Sequence, residues 1–344
     1  MLNHIKKLFC ILFLISCLSS TANALELIKP ERLKAGDTVG LVASGFRVPE
    51  DIQIQYAVER LQALGLKVKL GKYVFNRYGY FSATDEQRAE DFNHMIRDKE
   101  IKAIVELRGG WGSNRILNLI DYKAIKDNPK IIMGFSDITA LLLAIYHKTD
   151  LVTFHGPVGT DPWPEFTVNY VKKVLFQGKE VVFSNPKEAD EDDLIQTKNR
   201  AQTINSGVAT GRLLGGNLTV IASMLGSSYL PKWNGAILFV EDVGEDIYKV
   251  DRMLEQLKAA GVLNRISGFI FGQCKDCTVG SGTTSYGSLT LMHVVSSYIK
   301  PLKIPAWYGA MIGHDPKMFV LPEGVMVEIN ADKGTIKMLE AAVR

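Results

Sequence analysis

The chain has 344 residues, which is longer than one ordinary hydrophobic core, so its length predicts two domains. Hydrophobic residues make up 47% of the sequence and charged residues 22%, which is the balance of a globular protein and not of a disordered chain. With 40 basic and 37 acidic residues, a formal net charge of +3 and no dense basic stripe beyond the N-terminus, the composition argues against nucleic-acid binding.

The first residues have the order of a secretory signal peptide. A short basic start precedes an apolar run over 8–16, and an A-x-A pattern ends at Ala24. We therefore expect a signal peptide over residues 1–24 and a periplasmic protein. The apolar run is shorter than the about 20 residues of a membrane-spanning helix. Two alternatives remain open, a short N-terminal anchor and a lipoprotein site at Cys17, which would attach the protein to the membrane.

Strands and helices alternate through the first half of the chain. The predicted elements are strand 37–43, helix 50–64, strand 67–70, helix 84–97, strand 101–107, helix 114–120, strand 130–135 and helix 137–146. Thr84 followed by Gln87 is the pattern of a capping box at a helix start. The alternation predicts a mostly parallel α/β sheet in a domain over 25–165, with the ligand site outside the carboxyl ends of the strands.

The second half of the chain differs in character. Residues 166–206 contain prolines and the acidic run 188–193, and we interpret them as a connector with exposed loops. A second domain is predicted over 207–344, of α+β class and richer in β-strands toward its end. Its elements are a Gly-rich stretch 211–217, helix 218–225, strand 236–240, helix 248–260, and strand-like runs 266–272, 305–312, 325–329 and 335–339.

Cys274 and Cys277 are the cysteines that remain once the predicted signal peptide is removed. In an oxidising compartment, this C-x-x-C pair is expected to form a small disulfide loop or to stay as free thiols. A redox motif would open a helix in a thioredoxin-like unit, and a zinc site needs about four ligands. Neither pattern surrounds the pair.

Ser136 lies between a predicted strand and a predicted helix, in the sequence GFSDI. A serine on such a turn stands at the top of the sheet, and the N–H groups that follow it favour developing negative charge. This is the arrangement of a nucleophile elbow, although the second glycine of G-x-S-x-G is missing. The alternative is a serine that only caps the helix.

A Gly-rich turn, RGGWGS over 108–113, follows the strand 101–107. Glycines let backbone N–H groups approach a ligand closely, as an oxyanion hole requires. The spacing of a phosphate-binding P-loop is absent. The alternative is a plain tight turn.

A serine nucleophile needs a base and a carboxylate that orients it. His314 follows a strand-like run in the sequence GHDP and is the preferred base, with His155 as the second candidate. Glu241 ends a predicted buried strand and is the preferred carboxylate, with Asp242 and Glu245 as alternatives. Each histidine taken alone is also compatible with a structural role.

The segment 134–139 (GFSDIT) resembles the nucleophile segment of the murein tetrapeptide LD-carboxypeptidases, a family that includes the microcin C immunity peptidases. Further motifs of that family occur in the same order and extend the resemblance over about 30–340. They are 33–39 (LKAGDTV), 108–113 (RGGWGS), 211–218 (GRLLGGNL), 239–243 (FVEDV), 252–254 (RML) and 312–314 (IGH). The segment Ala43-Ser44-Gly45 departs from the family pattern.

The resemblance implies a flavodoxin-like N-terminal domain, a smaller β-rich C-terminal domain and a homodimer without metal or cofactor. It implies a triad of Ser136 as nucleophile, His314 as base and Glu241 as orienting acid. The oxyanion hole would consist of the N–H groups of Asp137 and Gly110. Independently of the resemblance, a carboxypeptidase needs a cation for the carboxylate of its substrate. The candidates are Arg108, Arg115 and Lys249, and Trp111 is a further candidate for substrate binding.

The implied activity is that of a serine LD-carboxypeptidase, which removes the terminal D-alanine of murein tetrapeptides during peptidoglycan remodelling or recycling. Two alternatives stay open. One is hydrolysis of a microcin C-like peptide or aminoacyl nucleotide, and the other is a periplasmic peptide-binding protein without catalysis. Many members of the family are cytosolic, whereas this sequence carries an export signal.

Overall fold

The computed structural model describes residues 27–187, 194–279 and 288–344. The predicted signal peptide over 1–24, including Cys17, and the acidic run 188–193 lie outside the described residues. None of the helices in the described part of the chain is both long and apolar enough to cross a membrane.

The strands, numbered in chain order, are β1 Thr38–Val42, β2 Lys67–Leu70, β3 Ile101–Glu106, β4 Ile131–Gly134, β5 Thr153–His155, β6 Val182–Ser184, β7 Gln202–Asn205, β8 Val208–Asn217, β9 Ile237–Val243, β10 Gly268–Lys275, β11 Ala306–Ala310, β12 Leu321–Glu323, β13 Met326–Asn330 and β14 Thr335–Met338. The α-helices are α1 Ile52–Ala63, α2 Asp85–Arg97, α3 Tyr122–Asp127, α4 Thr139–Thr149, α5 Glu165–Val171, α6 Leu218–Met224, α7 Ile247–Ala259 and α8 Leu291–Ile299. Short 3₁₀ helices span Ser113–Leu119, Ser136–Ile138 and Lys300–Leu302, and a π-helix spans Lys172–Phe176.

The first sheet has the strand order β12-β5-β4-β3-β1-β2. Its strands β1 to β5 pair in parallel and follow the 2-1-3-4-5 order of flavodoxin-like folds, which confirms the predicted fold class. The apolar sequences of β3 and β4 are buried almost throughout, as expected of parallel strands covered on both faces. The carboxyl ends of β3 and β4 therefore meet at one edge, where the Gly-rich turn and Ser136 follow.

Two helix starts in this half, at Thr84 and at Gly112, have different geometries. Thr84 accepts a hydrogen bond of 3.4 Å from the N–H of Gln87, whose side chain accepts one of 3.2 Å from the N–H of Thr84, so the predicted capping box is present. The helix expected over 114–120 is a 3₁₀ helix over Ser113–Leu119, and its N-cap Gly112 lies in the left-handed region (φ 103°).

The second sheet has the order β6-β14-β13-β8-β9-β10-β11-β7. Its central strands β8, β9, β10 and β11 are parallel, whereas the outer strands pair antiparallel. The Gly-rich stretch 211–217 belongs to strand β8. A Cβ on Gly215 would lie 1.8 Å from the carbonyl oxygen of Phe239, so this strand approaches β9 too closely for a side chain there.

Chain segments from both sides of the predicted boundaries contribute to the sheets. Strands β6 and β7 come from the proposed connector 166–206 and form the two edges of the second sheet. Strand β12, from the C-terminal half, pairs antiparallel with β5 of the first sheet. The boundaries at 165 and 206 stay a prediction, while the two sheets are a feature of the structure.

Cys274 and Cys277 form a disulfide at the end of β10. The backbone beside it is held to the segment after β9, since the N–H of Gly244 donates to the carbonyl of Lys275 at 2.8 Å. The disulfide therefore lies next to β9, where Cys274 is in register with Asp242.

Candidate active site

Ser136 follows β4 in a strained turn. Its φ of 61° lies in the left-handed region, where a residue other than glycine is uncommon and costs free energy. A Cβ on Gly109 would lie 2.9 Å from the Cβ of Ser136, so the Gly-rich turn touches the serine where only glycine fits. This geometry is that of the predicted elbow, with the side chain of Ser136 presented at the sheet edge.

The structure brings Ser136, His314 and Glu241 together from distant positions of the chain. Nε2 of His314 lies 3.0 Å from Oγ of Ser136, at a sequence separation of 178 residues. Nδ1 of His314 lies 2.8 Å from Oε2 of Glu241, at a separation of 73 residues. The three side chains therefore form a continuous hydrogen-bonded chain from hydroxyl to imidazole to carboxylate.

Glu241 is fully buried at the end of β9 and is held from a second side by Asn217. The side-chain amide of Asn217 donates to Oε1 of Glu241 at 3.2 Å and to Oδ1 of Asp242 at 3.1 Å. The N–H of Asn217 donates to Oγ1 of Thr139, at the start of α4, at 2.9 Å. The end of β8 thus links the carboxylate to the helix that follows Ser136.

Asp137 connects the elbow to the Gly-rich turn. Its carboxylate accepts a hydrogen bond of 2.8 Å from the N–H of Ser113, and the hydroxyl of Ser113 donates to the carbonyl of Asp137 at 2.5 Å. Burial raises the pKa of Asp137, while these hydrogen bonds oppose the shift. Gly110 has a φ of 91°, and a Cβ there would lie 2.3 Å from the Cβ of Phe46. Gly110 and Asp137 line the same cleft as Ser136.

The imidazole of His314 lies among carboxylates. Burial lowers its pKa, but the hydrogen bond and charge of Glu241, with smaller contributions from Asp161 and Asp242, outweigh burial and raise it above the ordinary 6.5. Burial raises the pKa of Asp161 to about 6, and burial together with the charge of Glu241 raises that of Asp242 to about 6. The surrounding carboxylates therefore raise the proton affinity of His314 above that of a free imidazole.

These groups open into a cleft of roughly 680 Å³. Arg108 and Trp111 line it, where the guanidinium of Arg108 stacks over the ring of Phe46 at 5.1 Å and Trp111 is 53% exposed. The polar part of the lining includes Asp161, Asn217, Thr219, Asp242 and Glu245. The cleft thus carries both a guanidinium and carboxylates.

The other candidates from the sequence occupy different places. His155 is fully buried, and its Nε2 lies 2.6 Å from the carbonyl oxygen of Ile312, so His155 is not the base of this cleft. Asp242 and Glu245 line the cleft, but Glu241 is the carboxylate that contacts the imidazole. Within the described ranges, no group of three or more His, Cys, Asp or Glu side chains is placed to hold a metal ion.

Sequence reasoning assigned no role to Asn217 or Asp161. Asn217 is part of the motif GRLLGGNL, but its contact with Glu241 joins β8 to β9 over a separation of 24 residues, which no local pattern reveals. Asp161 lies in a proline-containing segment without a local pattern, and the structure places it on the cleft wall.

A parallel α/β sheet with a strained serine at its carboxyl edge, joined to a second sheet that supplies imidazole and carboxylate, defines a hydrolase. The sequence matches the LD-carboxypeptidase N-terminal domain over 39–156 and the LD-carboxypeptidase C-terminal domain over 210–329. The chain therefore belongs to the LD-carboxypeptidase family, and its enzyme class is that of a carboxypeptidase.

Individual relatives agree with this assignment over nearly their whole length. A probable murein peptide carboxypeptidase of Bacillus subtilis is 36% identical over 320 residues, covering 92% of this chain and 95% of that protein. The microcin C7 self-immunity protein MccF of Escherichia coli is 32% identical over 332 residues, covering 90% and 94%.

Solved structures give the same result. The apo structure of MccF has a TM-score of 0.82 at 31% identity, over 92% of this chain and 100% of that chain. A muramoyltetrapeptide carboxypeptidase from Oxalobacter formigenes has a TM-score of 0.73 at 27% identity, over 88% and 97%. The two-domain fold is therefore that of known family members.

Proposed function

We propose that the protein is a serine LD-carboxypeptidase that hydrolyses the bond between an L-configured diamino acid and the terminal D-alanine of murein tetrapeptides. The observation that carries the proposal is the hydrogen-bonded chain from Ser136 through His314 to Glu241 at the wall of an open cleft. The names of relatives from Bacillus subtilis and Oxalobacter formigenes, which specify murein peptides or muramoyltetrapeptide, support this substrate class.

In the proposed reaction, His314 removes the proton of Ser136 as the serine oxygen attacks the scissile carbonyl. The N–H groups of Asp137 and Gly110 receive the negative charge on the carbonyl oxygen. His314 then gives its proton to the nitrogen of D-alanine, the C–N bond breaks, and an ester with Ser136 remains. Water, deprotonated by His314, hydrolyses the ester. Glu241 holds the imidazole in one orientation and stabilises its charged form.

A carboxypeptidase must also recognise the free carboxylate at the end of its substrate. Arg108 fits this requirement, because its guanidinium lines the cleft and is held in place on the ring of Phe46. An arginine can bind a carboxylate through two parallel hydrogen bonds. Arg115 is engaged elsewhere, 2.8 Å from Asp85, and Lys249 lies 3.3 Å from Asp246. We assign the carboxylate to Arg108, with Trp111 beside it as an apolar contact.

Hydrolysis of an aminoacyl nucleotide is the second candidate. It is favoured by the TM-score of 0.82 to MccF, which has also been solved in complex with aspartyl sulfamoyl adenosine. The exposed rings of Trp111 and Tyr80, 5.6 Å apart beside the cleft, are a surface on which a flat base could stack.

The proposal is tested by incubating residues 25–344 with a defined mixture of muropeptides and identifying the products by mass spectrometry. We expect tetrapeptides to lose one alanine and tripeptides and pentapeptides to stay intact. A parallel incubation with an aminoacyl nucleotide analogue distinguishes the second candidate. Cleavage of the analogue with intact tetrapeptide would replace the first proposal by the second, and no cleavage of either would favour a binding protein.

We further propose that the protein acts in the periplasm as a homodimer. Export is supported by the basic, apolar and A-x-A regions over residues 1–24, which have the order of a signal peptide. The homodimer is supported by the resemblance to the family. Cell fractionation and the N-terminal sequence of the mature protein test export, because cleavage after Ala24 gives a soluble form whereas acylation at Cys17 gives a membrane-bound one. Sedimentation of the purified protein tests the dimer.

A further inference from the structure

His155 lies directly behind the active-site cleft. It is the last residue of β5, it has no exposed surface, and its backbone is in register with Gly134 of β4. The N–H of Gly156 donates to the carbonyl of Gly134 at 3.0 Å, which ties the two strands together at this point. His155 is thus on the strand next to the one that leads into Ser136.

The ring of His155 contacts two aromatic side chains that belong to active-site segments. It lies 5.9 Å from the ring of Phe135, the residue before Ser136, and 5.1 Å from the ring of Phe239, two residues before Glu241. Both contacts are edge-to-face, with interplanar angles of 74° and 79°. His155 is therefore in contact with the strands that deliver the nucleophile and the carboxylate.

A polar contact joins His155 to the segment of the base. Its Nε2 lies 2.6 Å from the carbonyl oxygen of Ile312, two residues before His314. A carbonyl can only accept, so Nε2 must carry the proton. Burial lowers the pKa of His155, so the ring is neutral and its Nδ1 is bare. Consistent with this tautomer, Nδ1 is a buried nitrogen for which the described residues offer no hydrogen-bond partner.

We propose that His155 is a positioning residue that fixes the loop carrying His314 through the hydrogen bond to Ile312. One buried ring then holds together the segments of Ser136, His314 and Glu241, which come from two sheets. The inference rests on the proposed function, because the positioning matters only if His314 activates Ser136. A ring that merely fills space would make the same aromatic contacts without needing the Nε2 proton.

The tautomer can be measured in the unaltered protein by long-range ¹H–¹⁵N correlation NMR of the histidine rings. We expect the signals of His155, assigned by their loss in a His155→Gln variant, to be those of the Nε2–H form between pH 6 and pH 8. An Nδ1–H form would leave two acceptors facing each other and would overturn the proposal, as would a ring that titrates in this range.

Variants separate positioning from packing. His155→Phe keeps an aromatic ring and removes the donor, whereas His155→Gln keeps a donor near the position of Nε2. We expect His155→Phe to lower kcat about 10- to 100-fold with KM changed by less than about threefold, because a misplaced base costs the chemical step. His155→Gln should recover most of kcat. His155→Asn has a shorter side chain, whose amide does not reach the carbonyl oxygen of Ile312. This variant should therefore behave like His155→Phe.

The rate at which a fluorophosphonate labels Ser136 is measured in the same variants. The labelling rate should fall in His155→Phe and His155→Asn and recover in His155→Gln, while the midpoint of thermal unfolding identifies any variant that is not folded. Equal rates in the Gln and Asn variants would contradict positioning by the donor. Absence of labelling in the wild-type protein would instead refute the proposed function, so the two failures are distinguishable.

Discussion

The side-chain amide of Asn217 donates a 3.2 Å hydrogen bond to Oε1 of Glu241, the oxygen that does not face the imidazole of His314. The same amide donates to Oδ1 of the neighbouring Asp242. Two adjacent buried carboxyl groups would repel each other if both were ionised. Asn217 therefore fixes the orientation of Glu241 and reduces the cost of keeping it next to Asp242.

Replacing Asn217 by alanine is expected to lower kcat about 10- to 100-fold, because Glu241 loses a fixed partner and the imidazole that it orients is less well placed. Steady-state kinetics on a tetrapeptide measure this effect. The matched control is Thr219→Val, since Thr219 donates its hydroxyl to Asp242 at 2.8 Å and not to Glu241. An equal loss in both variants would show that Asp242, and not the orientation of Glu241, is what matters.

The pH dependence of kcat/KM should follow the ionisation of His314. The base must be neutral, and its pKa lies above 6.5, so activity should fall as pH decreases through that raised value. The substitution Glu241→Gln removes the charge that raises the pKa of His314. The acid limb of the pH profile of kcat/KM should therefore move to lower pH. The maximal rate should also fall, by about 10⁴-fold on the scale of known triads. An acid limb that stays in place would assign the titration to another group.

Arg108→Ala should raise KM for the tetrapeptide about 10- to 100-fold, with a smaller effect on kcat, because the charge-assisted hydrogen bonds to the terminal carboxylate are lost. A tetrapeptide with an amidated C-terminus lacks this carboxylate, so the wild type should cleave it poorly. The substitution Arg108→Ala should lower the cleavage of this amidated peptide little further. Arg115→Ala is the control, since Arg115 pairs with Asp85 and is not among the residues that line the cleft. Similar changes in both variants would indicate a general effect of the basic charge.

Glu106 should make stability depend on pH. It is fully buried, accepts hydrogen bonds from the hydroxyl and N–H of Ser44, and burial raises its pKa to about 7 from 4.5. Since the folded protein holds this proton more tightly than the unfolded chain, the free energy of unfolding should fall as pH rises from about 4.5 to about 7. The shift corresponds to about 3 kcal/mol.

Urea unfolding of the wild type and of Glu106→Gln across this pH range tests that expectation. The difference between the two free energies should grow with pH and level off above about 7, because glutamine does not titrate. Glu59→Gln, on the exposed face of α1, should keep the slope of the wild type. Parallel pH profiles of the wild type and of Glu106→Gln would show that the pKa of Glu106 is the same in the folded and unfolded states.

Much of the first sheet was predictable from the sequence. The strands β1, β3 and β4 are apolar runs bounded by polar or Gly-rich residues, and the helices between them have clear apolar periodicity. Ser136 was predicted as an elbow because it stands between such a strand and a helix. These signals are local, so the sequence carries them without knowledge of the tertiary structure.

The parts that were not predicted depend on contacts between distant residues. Strand β8 includes the stretch 211–217, whose glycines suggest a turn, although at Gly215 it is the close approach of β9 that requires glycine. The three-residue strands β5 and β12 pair at a separation that no local pattern reveals. The contacts of Asn217 and His155 arise for the same reason, since their partners come from other strands.

The central claim is that the hydroxyl of Ser136 is the nucleophile. It is tested most directly by measuring D-alanine release from a defined murein tetrapeptide by Ser136→Ala and by Ser223→Ala, which removes another serine of the same cleft. We expect Ser136→Ala to lose activity by about 10⁴-fold or more, with its fold intact by circular dichroism, and Ser223→Ala to stay within about threefold of the wild type. Release of D-alanine by Ser136→Ala at the rate of the wild type would contradict the account.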